Sequence, residues 1–147
     1  MDIFNKLTDH ATPWVKQMMA ELPTDDRHHA WHALRAGLHA LRDRLTVEEV
    51  AHLSAQLPLL IRGLFYEGWD PTGKPLRIRH ANDFLALVRE KYAPRSDTPA
   101  TDIIRALFRI LDRHVSRGEL TDIMVNLPTE LADLVRQGHV REDHPEG

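Results

Sequence analysis

The sequence predicts an all-α protein: a multihelical single globular domain made of two tandem duplicated helical units related by a pseudo-two-fold. Three observations predict it. Apolar residues recur at intervals of three and four along most of the chain, which lays them on one face of successive helices. No stretch alternates apolar and polar residues as a half-buried strand does. An offset of 70 residues lays the chain on itself without a gap, so that Pro58 falls on Pro128. Leu34-Arg35-Ala36 then falls on Ile104-Arg105-Ala106, Leu41 on Leu111, Glu49 on Glu119, Leu57 on Leu127 and Leu64 on Leu134. A match in which the apolar spacing persists throughout marks a repeated supersecondary unit.

The elements follow in order. Thr12-Pro13-Trp14 offers a cap, a proline at the first helical position and an apolar anchor, which predicts a helix from Pro13 to Leu22. A long helix is expected from Asp26 to Arg44, where Trp31, Leu34, Leu38, Leu41 and Leu45 share a face. Thr46 with Glu49, and at the matched site Ser116 with Glu119, each read as a capping box that starts a new helix. Helices over Val47–Ala55 and Pro58–Glu67 complete unit one. Unit two repeats them over Ala81–Tyr92, Pro99–His114, Arg117–Val125 and Pro128–Gln137. Pro58 and Pro128 suit a helix start, because proline is tolerated in the first turn and not in the interior.

The turn-rich run Gly68-Trp69-Asp70-Pro71-Thr72-Gly73-Lys74-Pro75 is a connection. The organisation is therefore one domain over residues 1–147, with repeat units at about 12–67 and 82–137, a linker at 68–80 and a polar tail at 138–147 that is expected to fray.

Two differences between the copies bear on packing. Ala33, Gly37 and Ala40 flank the apolar stripe of the first long helix, whereas their partners Ile103, Leu107 and Ile110 are large. Either the two long helices pack on each other, large groups over small, or the small face points to solvent. The last helix of unit one (Leu59, Leu60, Ile61, Leu64, Phe65) is apolar nearly all round, so it is expected at the centre or under a partner subunit.

Composition narrows the function. The chain has 147 residues, 42% of them hydrophobic and 28% charged, with a net charge of −3, which is globular and not disordered. That charge argues against nucleic-acid binding, and the cluster Lys74, Arg77, Arg79 and His80 reads as a solvated linker. The absence of cysteine excludes disulfides, thiolate metal sites and cysteine nucleophiles. No apolar run reaches the roughly 18 residues of a membrane span, so no membrane partner and a cytoplasmic location are expected. Most of the ten histidines are expected at the surface.

Two stretches carry a family resemblance: Leu60-Ile61-Arg62-Gly63-Leu64-Phe65-Tyr66-Glu67-Gly68-Trp69-Asp70-Pro71 and Leu41-Arg42-Asp43-Arg44-Leu45-Thr46-Val47-Glu48-Glu49. In them the chain resembles the bacterial domain-of-unknown-function family 2267, over roughly Trp14 to Gln137. The resemblance implies a multihelical fold made by duplication and brings no established activity, cofactor or catalytic residue. Thr12-Pro13 departs from it, interrupting what in the family looks like a continuous first helix.

Two groups of residues invite a functional reading. Arg62, Tyr66, Glu67, Trp69 and Asp70 could form a ligand or partner site, with the rings as a stacking platform and the charges as its polar specificity. The structural alternative, which the residues favour, is that Trp69 plugs the junction between units, Gly68 ends the helix and Asp70-Pro71 turns the chain. His28 and His32, four apart on a helix, could share a metal ion with Asp25 or Asp26; a plain polar face is favoured over it. His39 lies too far along the helix to join that ion. Phosphate loops and nucleophile elbows are absent, Ser116 is taken up as a cap, and Ser54 and Ser96 have no visible base. No catalytic residue and no cofactor are therefore assigned. The expected function is a non-enzymatic interaction or regulatory module with a protein partner or a second copy of itself. The alternative is a small-ligand or metal-binding protein with its site near the inter-unit junction.

Overall fold

The computed structural model describes residues 2–92 and 97–143. Ser96 and the last four residues lie outside the described part. The described residues form eight α-helices: α1 (Ile3–Glu21), α2 (Arg27–Arg44), α3 (Val47–Ser54), α4 (Leu59–Tyr66), α5 (Ala81–Tyr92), α6 (Ala100–His114), α7 (Arg117–Asn126) and α8 (Thr129–Asp143). None of the described residues is in a strand, and the whole is one all-α domain.

Helix boundaries follow local chemistry. Asp26 accepts the backbone N–H of His28 at 2.9 Å and caps α2. Thr46 and Glu49 form the full reciprocal capping box of α3, each side chain holding the other residue's backbone N–H. The second box is only half present. Ser116 accepts from the Glu119 N–H at 3.1 Å, but the Ser116 N–H donates instead to Gln56 Oε1 at 2.6 Å. Gln56, from the α3–α4 turn, thus takes the place expected of Glu119 and ties the start of α7 to the first half of the chain.

One helix start differs from expectation. α1 begins at Ile3, capped by Asp2, and runs straight through Pro13. Proline removes the ladder donor to the Asp9 carbonyl, and Thr8 and Thr12 donate their hydroxyls to the carbonyls of Phe4 and Thr8, at 3.2 and 2.8 Å, as threonines inside a helix do. The cap-like Thr12-Pro13 pair is therefore an interior feature, and the first helix is continuous. At the other end, α8 continues to Asp143, past Gln137.

Helix packing has a regular plan. α1 packs on α2 and α4, and α2 on α4; correspondingly α5 packs on α6 and α8, and α6 on α8. Across the halves, α2 meets α5, α1 meets α6, α2 meets α6 and α3 meets α7. Exchanging α1–α4 with α5–α8 maps these contacts onto one another. The contact of α6 with α7 has no counterpart of similar extent between α2 and α3.

The central helix is α2, not α4. From Ala33 to Asp43 every residue of α2 except Arg35 is buried. α4 buries Ile61, Leu64 and Phe65, while Leu59 and Leu60 stand 56% and 42% exposed. The small residues of α2 explain its position. A β-carbon built on Gly37 would lie 3.2 Å from Leu107 Cδ2 and 3.5 Å from Ile103 Cγ2. The large side chains of α6 therefore fill the groove over the small face of α2, and that face does not point to solvent.

Candidate functional site

At the end of unit one, the C-terminal turn of α4 meets polar side chains of α2. Helix ends leave carbonyls without intrahelical donors. Here α2 supplies the donors. His39 Nε2 hydrogen-bonds the Leu64 carbonyl at 2.7 Å, and Arg42 donates through one terminal nitrogen to the Phe65 and Glu67 carbonyls at 3.0 and 2.8 Å. Gly68, with a φ of +73°, adopts the left-handed conformation that lets the chain leave the helix. The Thr72 N–H then bonds Asp70 Oδ1 at 3.0 Å and the Lys74 N–H bonds the Pro71 carbonyl, so Asp70-Pro71 forms a turn.

A buried charge cluster completes the junction. Arg42 Nε donates to Asp43 Oδ1 at 2.8 Å, and Lys91 of α5 reaches Asp43 Oδ2 at 3.0 Å. Burial by itself would raise the Asp43 carboxyl, but the hydrogen bonds from Arg42 and Lys91 outweigh it and hold the group below the ordinary carboxylate value. The Asp43 carbonyl accepts the Leu76 N–H at 2.8 Å, and Arg44 Nε donates to the Ile78 carbonyl at 3.1 Å. The linker is thus strapped to the end of α2.

The predicted site residues fall around this junction in structural employment. Arg62 donates to the carbonyls of Ser54 and Leu57 at 2.9 Å each, closing the end of α3. The Tyr66 hydroxyl donates to Ser54 Oγ at 2.9 Å. Glu67 pairs with Arg35 at 3.0 Å, and that guanidinium keeps its carboxyl below the usual range. Trp69 is half-buried against the core with its ring 5.6 Å from that of Tyr66, and its indole N–H is buried without a partner. Asp70 is exposed and engaged in its turn.

The histidine pair lies elsewhere. His28 and His32 are exposed at the start of α2, and Asp26 is occupied as the cap, its carboxyl lowered by the backbone N–H groups of His29 and His28. Among the described residues no group of three or more His, Asp or Glu side chains could hold a metal ion.

Two histidines mattered more than their neighbours suggested. His39, expected with the surface set, is 4% exposed, and burial pushes its imidazole below the ordinary value despite the bond to Leu64. His29 shares a hydrogen bond with the Tyr92 hydroxyl through Nδ1 and contacts Thr98 Oγ1 at 3.0 Å through Nε2. It links the start of α2 to the α5–α6 connection. Neither histidine carries a sequence signal for its role, because the partners lie 25 to 69 positions along the chain.

The sequence model of a family described as "Uncharacterized conserved protein (DUF2267)" matches residues 11–134. The chain belongs to this DUF2267 family. No curated protein matches the chain. The matched DUF2267 stretch spans α1 from Ala11 through the first turns of α8, so it takes in the whole junction. No described helix of this DUF2267 member is long and apolar enough to cross a membrane.

Proposed function

We propose that the protein is a non-enzymatic interaction module, built by duplication of a four-helix unit, whose α4 face docks a second copy of the chain. The observation that carries this reading is the exposure of Leu59 and Leu60 on a helix whose opposite face is core. They follow Pro58, which lines an open groove of about 450 Å³ between α1 and the α3–α4 turn. Buried Trp14 and Leu57 form the groove's floor, and His114 stacks on Trp14 with ring centroids 4.6 Å apart. An apolar projection beside a groove suits a two-fold contact, in which each copy inserts leucine into the other. The repeated order of helix contacts and the 70-residue sequence offset support the duplication.

Light scattering over a concentration series tests the docking reading. Wild type should dimerise, and Leu59→Glu with Leu60→Glu should be monomeric with an unchanged circular dichroism spectrum. A wild type that stays monomeric at its highest soluble concentration overturns it.

A second reading, a small-ligand binder at the inter-unit junction, is supported by the unpartnered indole N–H of Trp69. A ligand accepting from that N–H would shift tryptophan fluorescence, and Trp69→Phe would abolish the shift. A ligand that binds the Trp69→Phe variant equally well removes this reading.

A further inference from the structure

The linker forms a cleft that neither reading uses. Arg44, the last residue of α2, lines it together with Lys74, Arg77 and Arg79, and it encloses about 740 Å³. Residues 71–82 contain no acid, in a chain that has 22 Asp and Glu. None of the four cations lies within ion-pair distance of a carboxylate among the described residues. Asp43 is engaged by Arg42 and Lys91, Asp70 by the Thr72 N–H, and Glu130 by the Ala81 N–H. Lys74 acts on Asp70 only at longer range.

The backbone here is held in place. The Leu76 N–H is bonded to α2, and the Ile78 carbonyl receives Arg44. Leu76 and Ile78 are half-buried, while Arg77 and Arg79 are exposed and line the cleft. Their two backbone N–H groups have no acceptor among the described residues. Arg44, Lys74, Arg77 and Arg79 all line this one concavity, where the field of like charges is focused.

We infer that this cleft binds a small ligand carrying two or more phosphates, held by Arg44, Lys74, Arg77 and Arg79. Guanidinium groups match phosphate oxygens in paired hydrogen bonds, and the lysine adds a point charge. No aromatic side chain lines the cleft, so recognition falls on the phosphates and not on a base. The cleft-lining residues are separate from Trp69 and from the α4 leucines, so this inference stands or falls without them.

Calorimetric titration with inorganic pyrophosphate and with ADP, at low salt, tests it. Both should bind with similar affinity, orthophosphate at least tenfold more weakly, and 0.5 M NaCl should weaken all of them. Arg77→Ala with Arg79→Ala should weaken pyrophosphate at least tenfold while leaving helicity and melting unchanged, since both side chains are exposed. Lys16→Ala, an exposed cation on α1, should bind as wild type does. The inference is overturned by no pyrophosphate binding at millimolar concentration, by equal binding by the double variant, or by equal loss in Lys16→Ala. Tighter binding of a DNA or RNA oligonucleotide than of pyrophosphate would overturn it in favour of a nucleic-acid surface.

Discussion

Single residues decide how the two long helices and the linker are fastened, and His39 shows how. Its Nε2–H donates to the Leu64 carbonyl from a nearly dry site, so the neutral ring is the form the fold accepts. Burial lowers its folded-state pKa below the ordinary 6.5, helped by the positive charges of Arg42, Arg35 and Lys91. His114, lowered by burial and by Arg113, behaves alike. The unfolded chain therefore takes up protons first as pH falls. Stability is full above about pH 6.5 and is lost as pH falls from there toward the folded values. The melting temperature should be lower at pH 5.5 than at pH 7.5, and His39→Gln should shrink that difference; an undiminished difference would exclude His39 as a source. None of this was legible beforehand. The sequence gives no partner for His39, since that partner is a backbone carbonyl 25 positions away.

For the elements, the sequence reading went further, because helix starts are local events. Asp26, Thr46, Ser116, Pro58 and Pro128 each mark a boundary within a residue or two of where it lies. Thr12-Pro13 misled because a threonine–proline pair looks the same in sequence whether it caps a helix or lies inside one. The reversal of α2 and α4 has a similar origin. Side-chain hydrophobicity pointed to α4, but centrality went to the helix with small residues, since only it admits the close approach of α6. Replacing Gly37 with leucine should therefore cost about 1–3 kcal/mol. For a chain of this length that is a fall of several degrees in melting temperature. Leu107→Ala in the same chain should recover part of the loss, a coupling that denaturant unfolding of the single and double variants would measure. Additive losses would mean that Gly37 and Leu107 do not meet.

At the scale of the whole molecule, the two halves interlock; they do not merely sit side by side. α2 packs on α5 and α6, α1 on α6, and the charged links Lys91–Asp43, Arg109–Glu21 and Arg113–Glu21 all cross between halves. Ala33 to Asp43 on α2, buried nearly all round, would lose the α5 and α6 part of its cover if unit two were removed. The offset of 70 residues is a property of the sequence alone, and it could not say that each half supplies the other's core, since that depends on which helix faces meet. The site expected at the junction illustrates the same limit: Arg62, Tyr66 and Glu67 lie within one short stretch of sequence, yet their partners are Ser54, Leu57 and Arg35. The most direct test is to divide the chain between Gly73 and Lys74 and produce the halves singly and together. Interlocked halves should show no cooperative melting alone, and a tag on one should retrieve the other as a folded, cooperatively melting pair. A half that melts cooperatively by itself would contradict the account.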